Sequence, residues 1–300
     1  MTSVTEPDLA GLLPSWTLSL QADRKSPQTL DSYTTGVRLF VRWCGGHGHT
    51  PAFDRNLVRA WVADLLADGA SPATARARQM ALKRFAAWAV EEGETDRDEL
   101  AALRPPKLDV KVVDRLSDDQ CGALVKACAG KGFVDRRDEA VVRMMLETGL
   151  RAGEVLGLNV DDVDVAQGLA RVRRGKGGKG RMVPFGPQTA RAVDRYVRAR
   201  RTHRLADGPA LWLGGGGQQF GYHALDKALK VRAAAAGISG FHLHLLRHTA
   251  ASRWLAAGGS EGGLMAVAGW SSRDMLDRYT KSTAAERAAA EARSLGLGDW

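Results

Sequence analysis

Leu169-Ala170-Arg171-Val172 and Met182-Val183-Pro184-Phe185 flank the run Gly175-Lys176-Gly177-Gly178-Lys179-Gly180. Two β-prone pieces around a tip of glycine and lysine predict an antiparallel hairpin with a flexible turn, and residues 163–165 supply a third short piece upstream. The run lacks the GxxxxGK[ST] spacing of a nucleotide-cradling loop and lies between strands, so nucleotide binding is rejected there. Outward from this hairpin the chain reads as helix. Ser117-Asp118-Asp119-Gln120 has the capping-box pattern, and a helix carrying Val141, Val142, Met145 and Leu146 stops at Gly149. From Gln188 onward the chain is predicted mainly helical, broken at 214–217, 237–240 and 258–263.

The first hundred residues carry the same signature. Ser26-Pro27 and Ser71-Pro72 each place a capping serine before a proline at the first helical position. Leu30, Tyr33, Val37, Phe40 and Val41 follow at helical spacing. Leu57, Val58, Trp61, Val62, Leu65 and Leu66 form a second face, and Leu82, Phe85, Trp88 and Ala89 a third. Arg104-Pro105-Pro106-Lys107 is hostile to helix. The expected organisation is a helical domain over 1–105, a linker at 106–111 and a mostly helical domain over 112–300 with one small antiparallel sheet.

Composition narrows the function. With 300 residues, 44% hydrophobic and 26% charged, the chain can bury two cores. Its longest nearly apolar run, 264–270, is far short of the roughly 20 residues of a membrane span. Glu6, Asp8 and the short apolar stretch 9–13 predict no secretory leader. Cys44, Cys121 and Cys128 are odd in number and form no CxxC, which predicts neither a disulfide framework nor a zinc module and fits a reducing cytoplasm. Cys121 and Cys128, seven apart, read as core residues on one helix face. The net charge of +9 points to a polyanionic partner, and it is unevenly spread. Residues 1–110 carry net −1 and residues 111–300 net +10, while 171–204 holds twelve basic residues against Asp194 alone. Such a segment repels itself unless an anion neutralises it. In the first half, Arg76, Arg78, Lys83 and Arg84 stand on an acid-free stretch, and 91–99 carries six acids.

Several isolated groups can carry chemistry. His242, His244 and His248 lack carboxylate partners at ligand spacing, and no HExxH occurs, so no metal site is expected. Arg151 follows the helix stop at Gly149, with Glu154 three residues on, close enough to orient its guanidinium. His244 and Arg247 stand at i and i+3 on one helix face. Gly269-Trp270-Ser271-Ser272 is followed by Tyr279, nine residues after Trp270. Taken singly, Tyr279 reads as a surface or core tyrosine and Trp270 as a core residue, and His242 and His248 as structural residues or supports behind those that touch substrate.

Thr148-Gly149-Leu150-Arg151 with Glu154, Gly175-Lys176-Gly177 before a strand, His244-Leu245-Leu246-Arg247-His248, and Gly269-Trp270-Ser271-Ser272 with Tyr279 together resemble the tyrosine recombinase (phage integrase) family over residues 112–285. The resemblance implies the simple two-domain type: a helical core-DNA-binding domain and a mostly α catalytic domain, closing as a clamp around DNA. It implies site-specific cleavage and rejoining of DNA through a 3′-phosphotyrosyl link, for integration, excision or resolution of a mobile element, without cofactor, metal or ATP. Arg151 and Arg247 would hold the non-bridging oxygens as guanidinium forks that stay charged. Trp270 would donate through its indole where many relatives use His, and Glu154 would brace Arg151. Tyr279 would be the nucleophile, its ordinary pKa of about 10 lowered by the positive field, with His244 as proton acceptor. Lys176 is the family-matched general acid for the leaving 5′-oxygen, and Lys179 its local rival.

Arg76, Arg78, Lys83, Arg84, Arg173, Arg174, Lys179 and Arg181 are the expected DNA-binding residues. The implied partners are double-stranded DNA with a specific core site, a homotetramer on two duplexes and an accessory directionality factor, in the cytoplasm on the nucleoid. Residues 283–293 are helix-favouring, and the family passes such a helix to a neighbouring subunit; a helix folded back on its own domain is the other reading. The competing functions are relaxation of one duplex in the manner of a type IB topoisomerase, and a catalytically silent DNA-binding regulator.

Overall fold

The computed structural model describes residues 7–108, 114–173, 180–273, 275–277, 279–280, 288 and 292–293. The chain divides into two compact units, Met1–Lys111 and Val112–Trp300.

Among the described residues, the first unit holds four helices: α1 (Leu9–Ala22), α2 (Pro27–Gly46), α3 (Arg55–Ala67) and α4 (Pro72–Glu91). Both Ser-Pro starts form as expected. Ser26 Oγ accepts from the Thr29 N–H and Ser71 Oγ from the Thr74 N–H, each at 3.2 Å, with the proline in the first turn. The sequence reading did not mark α1. Asp8 caps it, and Leu9, Leu13, Trp16 and Leu20 form its buried stripe despite Pro14 inside the helix. Trp16 stacks on Phe85 of α4 with centroids 4.7 Å apart, and Phe40 of α2 meets Trp61 of α3 at 5.2 Å. Gly36 lets α2 approach α4 closely: a Cβ there would lie 2.7 Å from that of Ala81. The chain beyond α4 stays on this core, because Leu100 and Leu103 are buried in it and Gln79 Nε2 donates to the Arg104 carbonyl at 3.1 Å.

The second unit opens with α5 (Asp118–Ala127), whose Ser117–Gln120 capping box forms, and α6 (Phe133–Thr148), which ends at Gly149 in the left-handed region (φ 63°). The short helix α7 (Ala152–Leu156) leads to a three-stranded antiparallel sheet in the order β1 (Val163–Asp164), β2 (Leu169–Val172), β3 (Arg181–Pro184). Ala170 pairs with Val183 and Val172 with Arg181; Ala170, Val172 and Val183 turn inward while Arg171 and Met182 are exposed. The helices α8 (Pro187–Arg200), α9 (Tyr222–Ala235), α10 (Leu243–Ala256) and α11 (Glu261–Ala268) follow, and residues 273, 275–277 and 279–280 are helical again. Its main core gathers Leu124, Val141, Met144, Met145, Tyr196, Trp212, Leu225 and Leu246. All three cysteines are free and buried, and burial pushes the Cys44 thiol up to about 11 and that of Cys128 to about 12. Among the described residues, no helix is long and apolar enough to cross a membrane.

Two expectations need correction. The break placed at 258–263 is shorter, because Ser260 caps α11 by accepting from the Gly263 N–H at 3.1 Å, and Gly262 and Gly263 lie inside the helix. The break placed at 214–217 is longer and begins after Arg200, whose guanidinium supports the loop by donating to the carbonyls of Ala206, Gly208, Ala210 and Leu211. The basic segment 171–204 is also less self-repulsive than its sequence suggests. Arg173 pairs with Asp162 at 2.6 Å, Arg195 with Glu139 at 2.9 Å and Arg198 with Asp194 at 2.9 Å, and only the last of these acids lies within the segment.

Candidate active site

The left-handed Gly149 ends α6 and turns the chain so that Arg151 becomes the capping residue of α7. Glu154, one turn on, accepts the Arg151 backbone N–H and Arg151 Nη1, both at 2.9 Å. The same carboxylate accepts Arg181 Nη1 at 3.0 Å and Nη2 at 2.8 Å, a bidentate fork from β3. Burial alone would push the Glu154 carboxyl up, but the hydrogen bonds from Arg181 and the Arg151 backbone, with both positive charges, outweigh it and hold the group below its ordinary range. Arg181 also donates through Nε to the Val267 carbonyl at 2.7 Å. Gly269, in the left-handed region, leaves room for this guanidinium, since a Cβ would lie 2.8 Å from its Nη1.

Arg247 is 1% exposed in the middle of α10. Its Nη1 donates to the Gly149 carbonyl at 2.5 Å and its Nη2 to the Ala268 carbonyl at 2.8 Å. The C-terminal ends of α6 and α11, both of negative polarity, thus converge on one buried cation. Burial is the main cause that brings its pKa down to about 10, and the like charge of Arg151 adds to it. Arg247 Nε and Trp270 Nε1 are both buried without a hydrogen-bond partner among the described residues. Two unsatisfied donors beside a surplus of positive charge are costly unless an anion accepts from them. Among the described residues, the guanidiniums of Arg151 and Arg181 share the Glu154 carboxylate and Arg247 lies in their field, so these three cations outnumber that carboxylate by two.

The Arg247 guanidinium lies 5.4 Å from the centroid of Trp270, which stacks on Tyr279 at 5.1 Å and 15°. Tyr279 is 1% exposed, and its hydroxyl is 2.5 Å from His248 Nδ1. His244, exposed, meets His248 edge-on with centroids 4.5 Å apart. A phenol, two imidazoles and an anion-binding cluster therefore lie on neighbouring elements. That set can bind a tetrahedral oxyanion and present an oxygen nucleophile to it. Among the described residues, no three His, Cys, Asp or Glu side chains gather as a metal site.

Arg151, Glu154, Arg247, Trp270 and Tyr279 come together, with His244 beside His248. Lys176, Lys179 and Arg174 lie outside the described residues, as does most of the 283–293 segment. Arg76 and Arg84 are exposed on α4. Arg78 donates to the Ser32 carbonyl at 3.2 Å, and Lys83 to those of Ala101 and Leu103 at 2.8 and 2.9 Å. Arg173 is held by Asp162, and Arg181 belongs to the buried cluster. His248, expected to be structural or a support, contacts the Tyr279 hydroxyl, and Arg181, expected at DNA, is tied to Glu154. Strand alternation, which puts Arg181 on the face of Val183, and the i, i+4 spacing of His244 and His248 were the signals available.

A profile described as the Phage integrase family matches residues 114–286, and one described as Phage integrase, N-terminal SAM-like domain, matches residues 13–93. A tyrosine recombinase XerC of Pseudomonas fluorescens is 29% identical over 241 residues, 79% of this chain and 79% of that protein. XerH site-specific recombinase bound to palindromic difH substrate, in a post-cleavage complex, superposes with a TM-score of 0.72 at 16% identity, covering 90% of this chain and 80% of that one. Lambda integrase, as a tetramer bound to a Holliday junction, gives 0.67 at 16% identity, covering 90% and 79%.

Proposed function

Because the chain belongs to the phage integrase family, we propose that it is a site-specific DNA recombinase that cuts and rejoins strands through a phosphotyrosyl intermediate. The observation that carries this reading is the excess of guanidinium over carboxylate around Arg247, beside the phenol of Tyr279. A phosphodiester brings one negative charge, and attack at phosphorus builds more on its non-bridging oxygens. Arg151, Arg247 and the unpartnered Trp270 indole would donate to those oxygens, with Glu154 and Arg181 fixing Arg151 in place. Tyr279 would attack with a histidine of α10 taking its proton, His244 being the family-matched one, and Lys176 or Lys179 would protonate the leaving 5′-oxygen.

In this reading the helical domain over 1–105, within the first unit, is the core-DNA-binding domain, with Arg76 and Arg84 turned to phosphates. Its substrate is duplex DNA with a core site, and its working form is a homotetramer on two duplexes joined through the C-terminal helix. A directionality factor chooses among integration, excision and resolution, and the work takes place on the nucleoid in the cytoplasm. Kinship with XerC and XerH does not favour plain relaxation of one duplex or a silent regulator.

The test is covalent capture. A core site selected by binding from random-sequence duplexes is rebuilt as a nicked suicide substrate. Wild type should form a protein–DNA adduct, and Tyr279→Phe should bind equally and form none. Adduct with Tyr279→Phe would sink the assignment.

A further inference from the structure

We propose that His248 takes the phenolic proton of Tyr279 directly when the strand is cut, an inference that rests on Tyr279 being the nucleophile. The phenol is buried, so its proton must leave through a protein group, and His248 Nδ1 stands 2.5 Å from the oxygen. The charged side chains of the neighbouring cluster are poor acceptors. Arg151, Arg181 and Arg247 have only donors to offer. The Glu154 carboxylate already accepts four N–H groups from Arg151 and Arg181. His244 is exposed and meets His248 edge-on, one helical turn away on α10.

In the step, a neutral His248 carries its proton on Nε2 and presents its Nδ1 lone pair. As the Tyr279 oxygen bonds to phosphorus, its O–H bond breaks and the proton passes to Nδ1. The bond from phosphorus to the 5′-oxygen breaks with its electron pair on oxygen, which takes a proton from the lysine general acid. Rejoining runs the same transfers backwards, and the imidazolium returns its proton to the phenol. His248 touches the Tyr279 hydroxyl and the His244 ring, and it follows Arg247 on α10. Arg151 and Glu154 at the α6–α7 turn and Arg181 on β3 act on Arg247. Arg115 precedes Leu116, whose N–H donates to Thr249 Oγ1 of α10 at 2.9 Å.

His248→Asn keeps a hydrogen-bond acceptor on the side chain but cannot take up the proton. With the nicked suicide duplex under single-turnover conditions, its adduct rate at pH 7 should fall by about a hundredfold. DNA affinity and melting temperature should stay at the wild-type value. The deficit should narrow as pH rises toward the ordinary phenol pKa of about 10, because a growing fraction of the phenol is then ionised before attack and needs no base. A rate within twofold of wild type, a faster rate, or an equal deficit at every pH would overturn the proposal, the last by reducing His248 to a prop. If the Asn variant fails to melt cooperatively, His248→Gln is read in the same way. Tyr279→Phe runs beside it: adduct there removes the premise, whereas its absence with an unaffected His248→Asn removes this inference alone.

Discussion

Glu154 shows how one residue sets the charge of the whole site. Replacing it with Gln leaves Arg151 and Arg181 without their shared partner, at an expected cost on the order of 3 kcal/mol, read from denaturant melts at pH 7. Its carboxyl titrates lower in the folded chain than in the unfolded one. The stabilisation is therefore complete above the ordinary carboxylate pKa of about 4.3 and is lost as pH falls through the folded value. The gap between wild type and Glu154→Gln should accordingly close on acidification. Arg247→Lys keeps a charge but loses the fork that spans Gly149 and Ala268, and cleavage should drop roughly 100-fold or more in single-turnover assays. Arg151, Glu154, Arg247 and Tyr279 were legible because each sits in a short ordered box. Arg181 was not, since a strand arginine in a basic run reads as surface until its register is known. His248 resisted for another reason: its role depends on a partner 31 residues away.

Helices announced themselves where local chemistry was strong. Ser26, Ser71, Ser117 and Gly149 all bound elements as their residue types require. Pro14, in the midst of α1, speaks against helix there, and Gly262 and Gly263 mask the Ser260 cap of α11. The close approach of α2 and α4 at Gly36 was invisible without coordinates, and it gives an element-scale prediction. Gly36→Val should push the two helices apart at a cost of about 1–3 kcal/mol, measured by thermal unfolding.

The basic character of the molecule is partly consumed from within. Arg173, Arg181, Arg195, Arg198, Arg200 and Arg204 all have internal partners, so a count of cations overstates what is left for phosphates. On α4 this separates neighbours. Arg84→Gln should make the log–log dependence of DNA affinity on salt shallower by about one. Lys83→Met should leave that slope unchanged and lower stability, because its ammonium ties down two carbonyls. At the same scale, the carbonyls of Val267 and Ala268, adjacent in the chain, anchor Arg181 and Arg247. The backbone then runs through Gly269 and Trp270 toward Tyr279. A shift of the Val267–Ala268 dipeptide would therefore carry both guanidiniums with it, so the last turn of α11 sets the spacing of the two cations.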